Sequence, residues 1–448
     1  MSEQMIGRRT LLTGSALVIA GGAAAAMAGC TDDQPASAAS PSPTTPTTPA
    51  DLDSWDAVRD QFAVDPQLAH FAAFVLAPHP APVRAAIERW REALDNDPAT
   101  VVHDAYSQDE AVRAAASRYL RARPNEIALT DSTTMGLGLV YHALSLEPGA
   151  HVLTTTHDFY STHEALRLAA ERSGAEVEQV QLYDDPAAAD ADEITARIQA
   201  AVRPETRIVA LTWVHSSTGV KLPVRQIADM LADANRDRDP ERRALLCIDG
   251  IHGLGVEEDG PNELGCDVLI SGTHKWLFGP RGTGLVWARP EAGEAIGAII
   301  PPFDPAGFNN WLGVTDSPRP FYDAGTPGGY KAFEHRWAVA EAFEFHESVG
   351  RDRVAARSRE LATQLKDGLS EVPGVRVVTP SDPQLSSGLV CCDVTGLHAG
   401  EVVDRLHRDH GIVASVTPYR DQYVRFGTSI VTTPDQVDQA VSALAEMA

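Results

Sequence analysis

The sequence predicts an α/β fold in which helices sandwich a mostly parallel sheet, followed by a smaller α/β domain. From residue 125 onward, apolar runs of strand length alternate with segments of helical periodicity, a pattern typical of strand–helix–strand units. Polar or glycine-rich turns follow these runs, at the strand ends where open α/β sheets bind their ligands. The predicted strands cover residues 126–130, 151–155, 176–182, 207–214, 244–249 and 267–271.

The C-terminal part of the chain predicts a second, smaller domain. Two long helices are expected over residues 331–349 and 351–369, and they lead into an α/β unit that ends in a helix over 434–447. Residues 51–82 are expected to pack against this unit. With 448 residues and 44% hydrophobic side chains, the chain can bury a core of more than one domain.

The amino-acid composition limits which kinds of molecule the protein is expected to bind. Lys and Arg number 37 against 62 Asp and Glu, which leaves a formal charge of -25. Such an acidic surface repels polyphosphate, so nucleic acid is excluded as an expected partner.

The N-terminus resembles an export signal rather than part of the fold. Arg8 and Arg9 precede a modestly apolar run that ends near Met27, which is similar to a signal for the twin-arginine export machinery. The small residues before Cys30 resemble a lipoprotein cleavage site. We therefore expect a signal peptide over 1–30, a disordered Pro/Ser/Thr-rich linker over 31–50, and an extracytoplasmic enzyme. Lipidation of Cys30 would be its only attachment to a membrane.

Cysteines are few and carry no predicted chemistry. Apart from Cys30, the chain has Cys247, Cys266 and the adjacent pair Cys391 and Cys392, all in strand-like runs. Their spacing fits neither a disulfide framework nor a metal site, so buried thiols and no bound metal are expected.

The most informative residues are an acid and a lysine that follow two different apolar runs. Asp249 ends the run 244–249, and Lys275 follows the run 268–270 in the segment Ser271-Gly-Thr-His274-Lys275-Trp. Pyridoxal phosphate needs such a pair, because a lysine amine binds its aldehyde and an acid holds a proton on its pyridine nitrogen. The order and context of the two residues therefore predict this cofactor.

These motifs resemble the class V aminotransferase family of pyridoxal-phosphate enzymes of fold type I, and most of all its isopenicillin N epimerase-like branch. The resemblance runs from about His70 to the C-terminus. It implies a seven-stranded sheet in a large cofactor-binding domain over 83–325 and a small C-terminal domain over 326–448. It also implies a homodimer with active sites at the subunit interface, and chemistry on amino acids.

The resemblance assigns roles to four residues around the lysine. Lys275 matches the family's Schiff-base lysine, and His274 matches a neighbour that helps to bind the phosphate. Asp249 matches the partner of the ring nitrogen. His252 matches a glutamine or histidine near the phenolic oxygen of the cofactor.

A hydroxyl-rich turn is the predicted phosphate site. Ser132, Thr133 and Thr134 follow the strand 126–130 and begin a helical pattern. The free N–H groups and the positive dipole at a helix N-terminus favour a dianionic phosphate. Thr134 aligns with the threonine that has this role in the family.

Two further turns match positions that surround the cofactor. Phe159, with Tyr160 as its competitor, occupies the place of the ring that stacks on the pyridine. Many relatives have histidine there, and phenylalanine can stack but cannot transfer protons. Ser216 stands where desulfurases carry asparagine.

Two C-terminal motifs complete the predicted site. Thr326, in a Gly-Thr-Pro turn, matches a residue that reaches the neighbouring subunit's phosphate. Arg425 matches the arginine whose paired N–H groups bind the substrate carboxylate, a geometry that lysine cannot offer.

Several reactions remain open on this site. Epimerisation at an amino-acid α-carbon is the first expectation, on resemblance alone, and transamination or C–S lysis are its alternatives. Desulfuration by a persulfide is disfavoured, because no cysteine lies between Gly396 and Arg425. A non-catalytic exported carrier is a less favoured alternative, since Lys275, Asp249, His252 and Arg425 are all present.

Overall fold

A seven-stranded sheet is the centre of the computed structural model, which describes residues 52–448. Its strands are β2 (Ile127–Thr130), β3 (His151–Thr155), β4 (Glu176–Val180), β5 (Thr206–Thr212), β6 (Leu245–Asp249), β7 (Val268–Gly272) and β8 (Gly284–Ala288). Their order across the sheet is β2-β8-β7-β6-β5-β3-β4, and only β8 runs antiparallel to its neighbours. The predicted α/β fold with a mostly parallel seven-stranded sheet is confirmed.

A four-stranded antiparallel sheet is the centre of the C-terminal part, in the order β12-β13-β10-β9. Its strands are β9 (Val375–Val377), β10 (Leu389–Val394), β12 (Ser415–Val416) and β13 (Val424–Gly427). A separate parallel pair joins β1 (Ala69–His70), near the start of the described chain, to β11 (Ile412–Val413). The N-terminal segment is thereby attached to the C-terminal part.

Helices cover both faces of the large sheet and one side of the small one. Those before β7 are α1 (Trp55–Arg59), α2 (Ala81–Asn96), α3 (Pro98–His103), α4 (Ala105–Leu120), α5 (Thr133–Ala143), α6 (Tyr160–Ser173), α7 (Ala191–Ala201), α8 (Val224–Ala234) and α9 (Pro261–Leu264). Those after β8 are α10 (Pro290–Glu294), α11 (Pro305–Trp311), α12 (Phe321–Ala324), α13 (Phe333–Trp337), α14 (Val339–Val349), α15 (Arg351–Ser370), α16 (Ala399–His410) and α17 (Pro434–Ala445). Short 3₁₀ helices lie at Pro124–Glu126, Pro186–Ala188 and Pro240–Arg242.

Helix α5 packs closely on the sheet because it carries glycine at the contact. A Cβ atom at Gly136 would lie 2.7 Å from Cγ2 of Ile270 in β7, closer than side chains tolerate. This close approach places the N-terminus of α5 beside the end of β7. The sheet thereby positions the predicted phosphate-binding turn next to the segment that carries Lys275.

The structure differs from the predicted elements in two places. The predicted helix over 331–349 is two helices, α13 and α14, which meet at Ala338, and residues 331–332 lie outside both. Strand β8 was not predicted, and its antiparallel direction depends on pairing with both β2 and β7. Such pairing depends on contacts between distant segments, so no local sequence pattern predicts it.

The four cysteines at 247, 266, 391 and 392 are buried and form no disulfide among residues 52–448. The predicted signal peptide, the linker and Cys30 lie outside residues 52–448, and the predicted domain boundaries remain predictions. Within the described part, no helix combines the length and the apolar character that crossing a bilayer requires.

Candidate active site

The predicted site residues lie where neighbouring strands of the large sheet end. Asp249 is the last residue of β6, and Lys275 follows β7, its parallel neighbour. Ser216 follows β5, and Phe159 follows β3, so their loops meet at the same edge of the sheet. Parallel strands therefore bring together residues that are far apart in the sequence.

Lys275 is held by a chain of two hydrogen bonds. Nζ of Lys275 lies 3.1 Å from Nε2 of His252, and Nε1 of Trp276 donates to Nδ1 of His252 over 3.2 Å. Since an indole N–H can only donate, Nδ1 is the acceptor and the proton of the neutral imidazole is on Nε2. His252 therefore donates to Nζ, which requires the uncharged, nucleophilic form of the lysine.

Burial supports this protonation state. It lowers the pKa of His252 well below its ordinary value, and any positive charge on Lys275 would act in the same direction. Burial also lowers the pKa of Lys275, against the opposing effect of Asp249. A neutral imidazole beside a neutral amine is consistent with both shifts.

Asp249 is buried with one of its oxygens engaged. Its Oδ1 accepts the backbone N–H of Ile251 over 3.0 Å, and its side chain forms no other hydrogen bond within residues 52–448. Burial raises the pKa of Asp249, while the hydrogen bond from Ile251 and the charge of Lys275 act in the opposite direction. The other carboxylate oxygen is therefore free to accept a hydrogen bond from a protonated ring nitrogen.

The turn before α5 has the geometry of an anion site. Ser132 caps the helix, since its Oγ accepts the N–H of Met135 over 3.1 Å. The N–H groups of Thr133 and Thr134 form no hydrogen bond within the described chain. Thr134 is exposed, and its hydroxyl lies 3.1 Å from that of Ser161. These free donors at a helix N-terminus favour a phosphate.

Thr133 and His274 connect this turn to the lysine segment. The Thr133 hydroxyl is buried and accepts the N–H of Gly272 over 2.7 Å. A Cβ at Gly272 would lie 2.7 Å from the ring of His274, so glycine allows this ring to lie against the backbone. The Thr133 side chain and the His274 ring therefore both lie against Gly272, and the predicted role of His274 in binding the phosphate remains a prediction.

A charge pair borders the phosphate turn. Asp131 immediately precedes Ser132, and Nζ of Lys331 lies 3.3 Å from its Oδ1. A bare carboxylate here would repel a phosphate, and Lys331 offsets that repulsion.

We expect Lys331→Met to weaken pyridoxal phosphate binding by about tenfold, equivalent to roughly 1.4 kcal/mol. The double variant Asp131→Asn/Lys331→Met removes the repulsion with the compensating charge and should bind nearly as well as the wild type. Titration of the apoprotein with the cofactor, followed by visible absorbance, measures both. Unchanged affinity in the single variant would show that the pair is irrelevant to the phosphate.

The turn after β3 is fixed by Asp158. Its carboxylate accepts the N–H of Thr155 and of Thr212, each over 2.7 Å, and thereby ties the ends of β3 and β5 together. Phe159 follows and is partly buried, whereas Tyr160 is 69% exposed. Of the two predicted ring-stacking candidates, Phe159 is thus the one directed toward the protein interior.

Arg425 reaches the site from β13 of the small sheet. Its Nε donates to Oγ of Ser415 over 3.1 Å, and its Nη1 donates to the backbone oxygen of Ser216 over 2.9 Å. Phe74 covers the guanidinium at 4.6 Å from the ring centroid. Arg425 is buried, and no carboxylate pairs with it within residues 52–448. A buried cation without an acid partner is suited to an anionic ligand.

Three residues of this arrangement were not predicted from the sequence. Phe74 covers Arg425, Trp276 sets the tautomer of His252, and Tyr419 lies with its hydroxyl 2.7 Å from Oγ of Ser216. Each acts through a contact between distant segments. Trp276 alone carried a local signal, since it adjoins Lys275 in the sequence.

Thr326 is engaged within its own chain. Its hydroxyl accepts the N–H of Leu129 over 2.9 Å and donates to the backbone oxygen of Tyr322 over 2.7 Å. A hydroxyl has one proton to donate, so binding a phosphate of a second subunit would require it to turn away from Tyr322. The predicted role of Thr326 remains a prediction.

The residues present fit pyridoxal phosphate. Lys275 offers an uncharged amine, Asp249 a free buried oxygen, and the turn at Thr133 and Thr134 two free N–H donors. These three features meet the requirements of the aldehyde, the ring nitrogen and the phosphate. The chemistry of the donor set thus agrees with the predicted cofactor.

Comparison with known proteins agrees with this geometry. The model of the family described as "Aminotransferase class-V" matches residues 80–418. Isopenicillin N epimerase of Streptomyces clavuligerus is 26% identical over 404 residues, covering 87% of this chain and 97% of that protein. A probable cysteine desulfurase of Synechocystis is 25% identical, covering 73% and 76% of the two chains.

Solved structures show the same fold. A mutant of C-DES, described as a cystine C-S lyase, with glycine covalently linked to its pyridoxal phosphate cofactor has a TM-score of 0.76. It is 20% identical and covers 87% of this chain and 99% of its own. At 20% sequence identity, this structural similarity shows a shared fold only.

Proposed function

The chain belongs to the class V aminotransferase family and is a pyridoxal-phosphate enzyme, and from this premise we propose that it is an isopenicillin N epimerase-like enzyme. Its reaction would invert or exchange hydrogen at the α-carbon of an amino acid or a compound derived from one. The observation that carries this proposal is the buried guanidinium of Arg425, which has no acid partner in the described chain. It supplies a place for an α-carboxylate.

Each of these site residues would have a separate role in the reaction. Bound pyridoxal phosphate draws electrons from the α-carbon and makes its proton acidic. Asp249 would hold a proton at the ring nitrogen, and the turn at Thr133 and Thr134 would bind the phosphate. Lys275, once released from the cofactor, is the group able to carry the α-proton, and His252 orients its Nζ over 3.1 Å.

Two observations favour the epimerase-like branch over the desulfurases. No cysteine lies between Gly396 and Arg425, and Cys391 and Cys392 are buried in β10, so persulfide chemistry has no accessible thiol. The epimerase of Streptomyces clavuligerus matches the chain over a larger share of both proteins than the Synechocystis desulfurase does. Neither observation identifies the side chain of the substrate.

The test is incubation of the holoenzyme with isopenicillin N and with a panel of L-amino acids in heavy water. We expect deuterium at the α-carbon together with inverted configuration, detected by mass spectrometry and chiral chromatography. Formation of a keto acid would instead identify a transaminase. Pyruvate with sulfide or ammonia would identify a lyase.

We further propose that the enzyme is a homodimer. Residues 299–314 expose apolar side chains, including Trp311 at 79%, Val314 at 69% and Phe303 at 57%. Such a concentration of exposed apolar surface is typical of an interaction site. The substitution Trp311→Asp should convert a dimer into a monomer in light scattering, and a monomeric wild type would contradict the proposal.

The proposed location is outside the cytoplasm, reached through the twin-arginine machinery. The basis is the motif at Arg8 and Arg9, with Cys30 as a site for a lipid anchor. Replacing both arginines by lysine should retain the enzyme in the cytoplasm. Secretion of that variant at the wild-type level would eliminate this route.

A further inference from the structure

Tyr419 is presented to the active site by an ordered turn between β12 and β13. The N–H of Thr417 donates to the backbone oxygen of Tyr423 over 3.0 Å, and the N–H of Tyr423 donates to the Thr417 hydroxyl over 2.9 Å. The same hydroxyl donates to the backbone oxygen of Asp421 over 3.3 Å. These bonds close the turn and restrict the position of the tyrosine.

The Tyr419 ring crosses from the small domain to the edge of the large sheet. Its hydroxyl lies 2.7 Å from Oγ of Ser216, and its ring meets that of Phe159 at a centroid distance of 6.0 Å and an angle of 69°. Ser216 and Phe159 follow β5 and β3 at the site end of the sheet. Tyr419 is therefore in direct contact with two residues of the predicted site.

Tyr419 and Lys275 lie at the same edge of the large sheet. Tyr419 contacts Ser216 and Phe159, which follow β5 and β3, and Lys275 follows β7 in the same sheet. Lys275 contacts His252, whereas Tyr419 contacts Ser216 and Phe159, and no direct contact joins the two within residues 52–448. The site thus contains two separate groups able to transfer a proton.

Inversion at a carbon requires a proton to leave on one side and another to arrive on the other side. Phe159 has no proton to give, although it lies in the place where many family members have histidine. We propose that Tyr419 is the second acid–base residue of this enzyme and delivers a proton to the α-carbon on the side away from Lys275. The proposal rests on the proposed epimerase-like function.

The proton balance is complete. Lys275 Nζ would take the α-proton, and the electron pair of the broken C–H bond would form the new C–H bond when Tyr419 Oη gives its own proton to the same carbon. Solvent then returns a proton to Tyr419 and removes one from Lys275. No oxidant or reductant is required.

The electrostatic surroundings suit a donor. Burial raises the pKa of Tyr419, so the phenol keeps its proton at neutral pH until the reaction needs it. The hydrogen bond to Ser216 and the charge of Arg425 act in the opposite direction and ease its release.

The test compares Tyr419→Phe with the wild type as holoenzymes in heavy water, with isopenicillin N and the L-amino acid panel as probes. We expect the variant to exchange the α-proton with retained configuration, because Lys275 is intact, while inversion falls by about 100-fold or more. Tyr423→Phe is the control, since it alters a tyrosine of the same turn whose hydroxyl forms no hydrogen bond in the described chain.

A binding measurement separates chemistry from folding. α-Methyl amino acids have no α-proton to lose, so the change in visible absorbance that they cause should occur at the same concentration in Tyr419→Phe and the wild type. A variant that inverts as fast as the wild type would overturn the proposed role of Tyr419 alone. A wild type that exchanges only with retention, or that shows neither colour nor exchange, would instead overturn the proposed function itself.

Discussion

Lys275→Ala should abolish the covalent attachment of the cofactor and reduce turnover by about 10³-fold or more. The amine is both the attachment point of the cofactor and the carrier of the α-proton, so its loss removes two functions at once. Borohydride treatment followed by denaturing gel filtration should leave the cofactor bound to the wild type and release it from the variant. Absorbance of the protein fraction measures the difference.

Lys275→Arg is the matched variant for this experiment. It keeps a cation at the position but cannot form the covalent link, so it should behave like Lys275→Ala. The turn at Thr133 and Thr134 is intact in both, and reversible cofactor binding should therefore persist. Retention of the cofactor by either variant after denaturation would show that another lysine is the attachment point.

The pH dependence of cofactor attachment follows from the same environment. Only the neutral amine attacks an aldehyde, and burial lowers the pKa of Lys275. The attachment rate of the apoprotein should therefore rise with pH and level off below the ordinary lysine pKa of about 10.4. His252→Leu removes the donor that favours the neutral amine, so its midpoint should move to higher pH.

Arg425→Ala should lower kcat/KM for amino acids by about 10²- to 10³-fold, equivalent to roughly 3–4 kcal/mol. The guanidinium is buried and has no acid partner among residues 52–448, so a substrate carboxylate would gain a charge-assisted, paired contact there. Arg425→Lys retains the charge without the planar fork and should give an intermediate loss.

Selectivity provides the sharper measurement for Arg425. The wild type should respond to alanine at far lower concentration than to ethylamine, which lacks the carboxylate, and Arg425→Ala should lose this preference. Arg420→Ala is the control, since Arg420 is exposed in the turn that precedes β13. Equal discrimination by Arg425→Ala and the wild type would leave Arg425 with only its contacts to Ser415 and Ser216.

Local sequence patterns predicted most of the strands of the large sheet. The predicted strand 151–155 coincides with β3, and five other predicted strands overlap observed ones with ends that differ by at most two residues. Apart from the edge strand β4, which is largely exposed, these strands are buried on both faces, so they appear in the sequence as largely apolar runs. The antiparallel β8 and the break between α13 and α14 were missed, because both depend on neighbours distant in the chain.

Local patterns also placed the attachment lysine and its acid together. Asp249 and Lys275 end or follow adjacent parallel strands, and such ends meet at one edge of a sheet whatever the loops contain. The contact of Tyr419 with Ser216 joins residues that are 203 positions apart. This contact depends on how the four-stranded sheet lies against the seven-stranded one.

The sequence alone determined which chemical groups are available and at which strand ends they lie, because strand periodicity and turn composition are local properties. The tertiary structure determined the protonation and the interaction partners of these groups. It assigned the proton of His252 through Trp276, left Arg425 without an acid partner in the part of the chain that the structure describes, and brought Tyr419 beside Phe159. Such states depend on which side chains from distant segments share one buried volume, where hydrogen-bond partners and neighbouring charges set the protonation of each group.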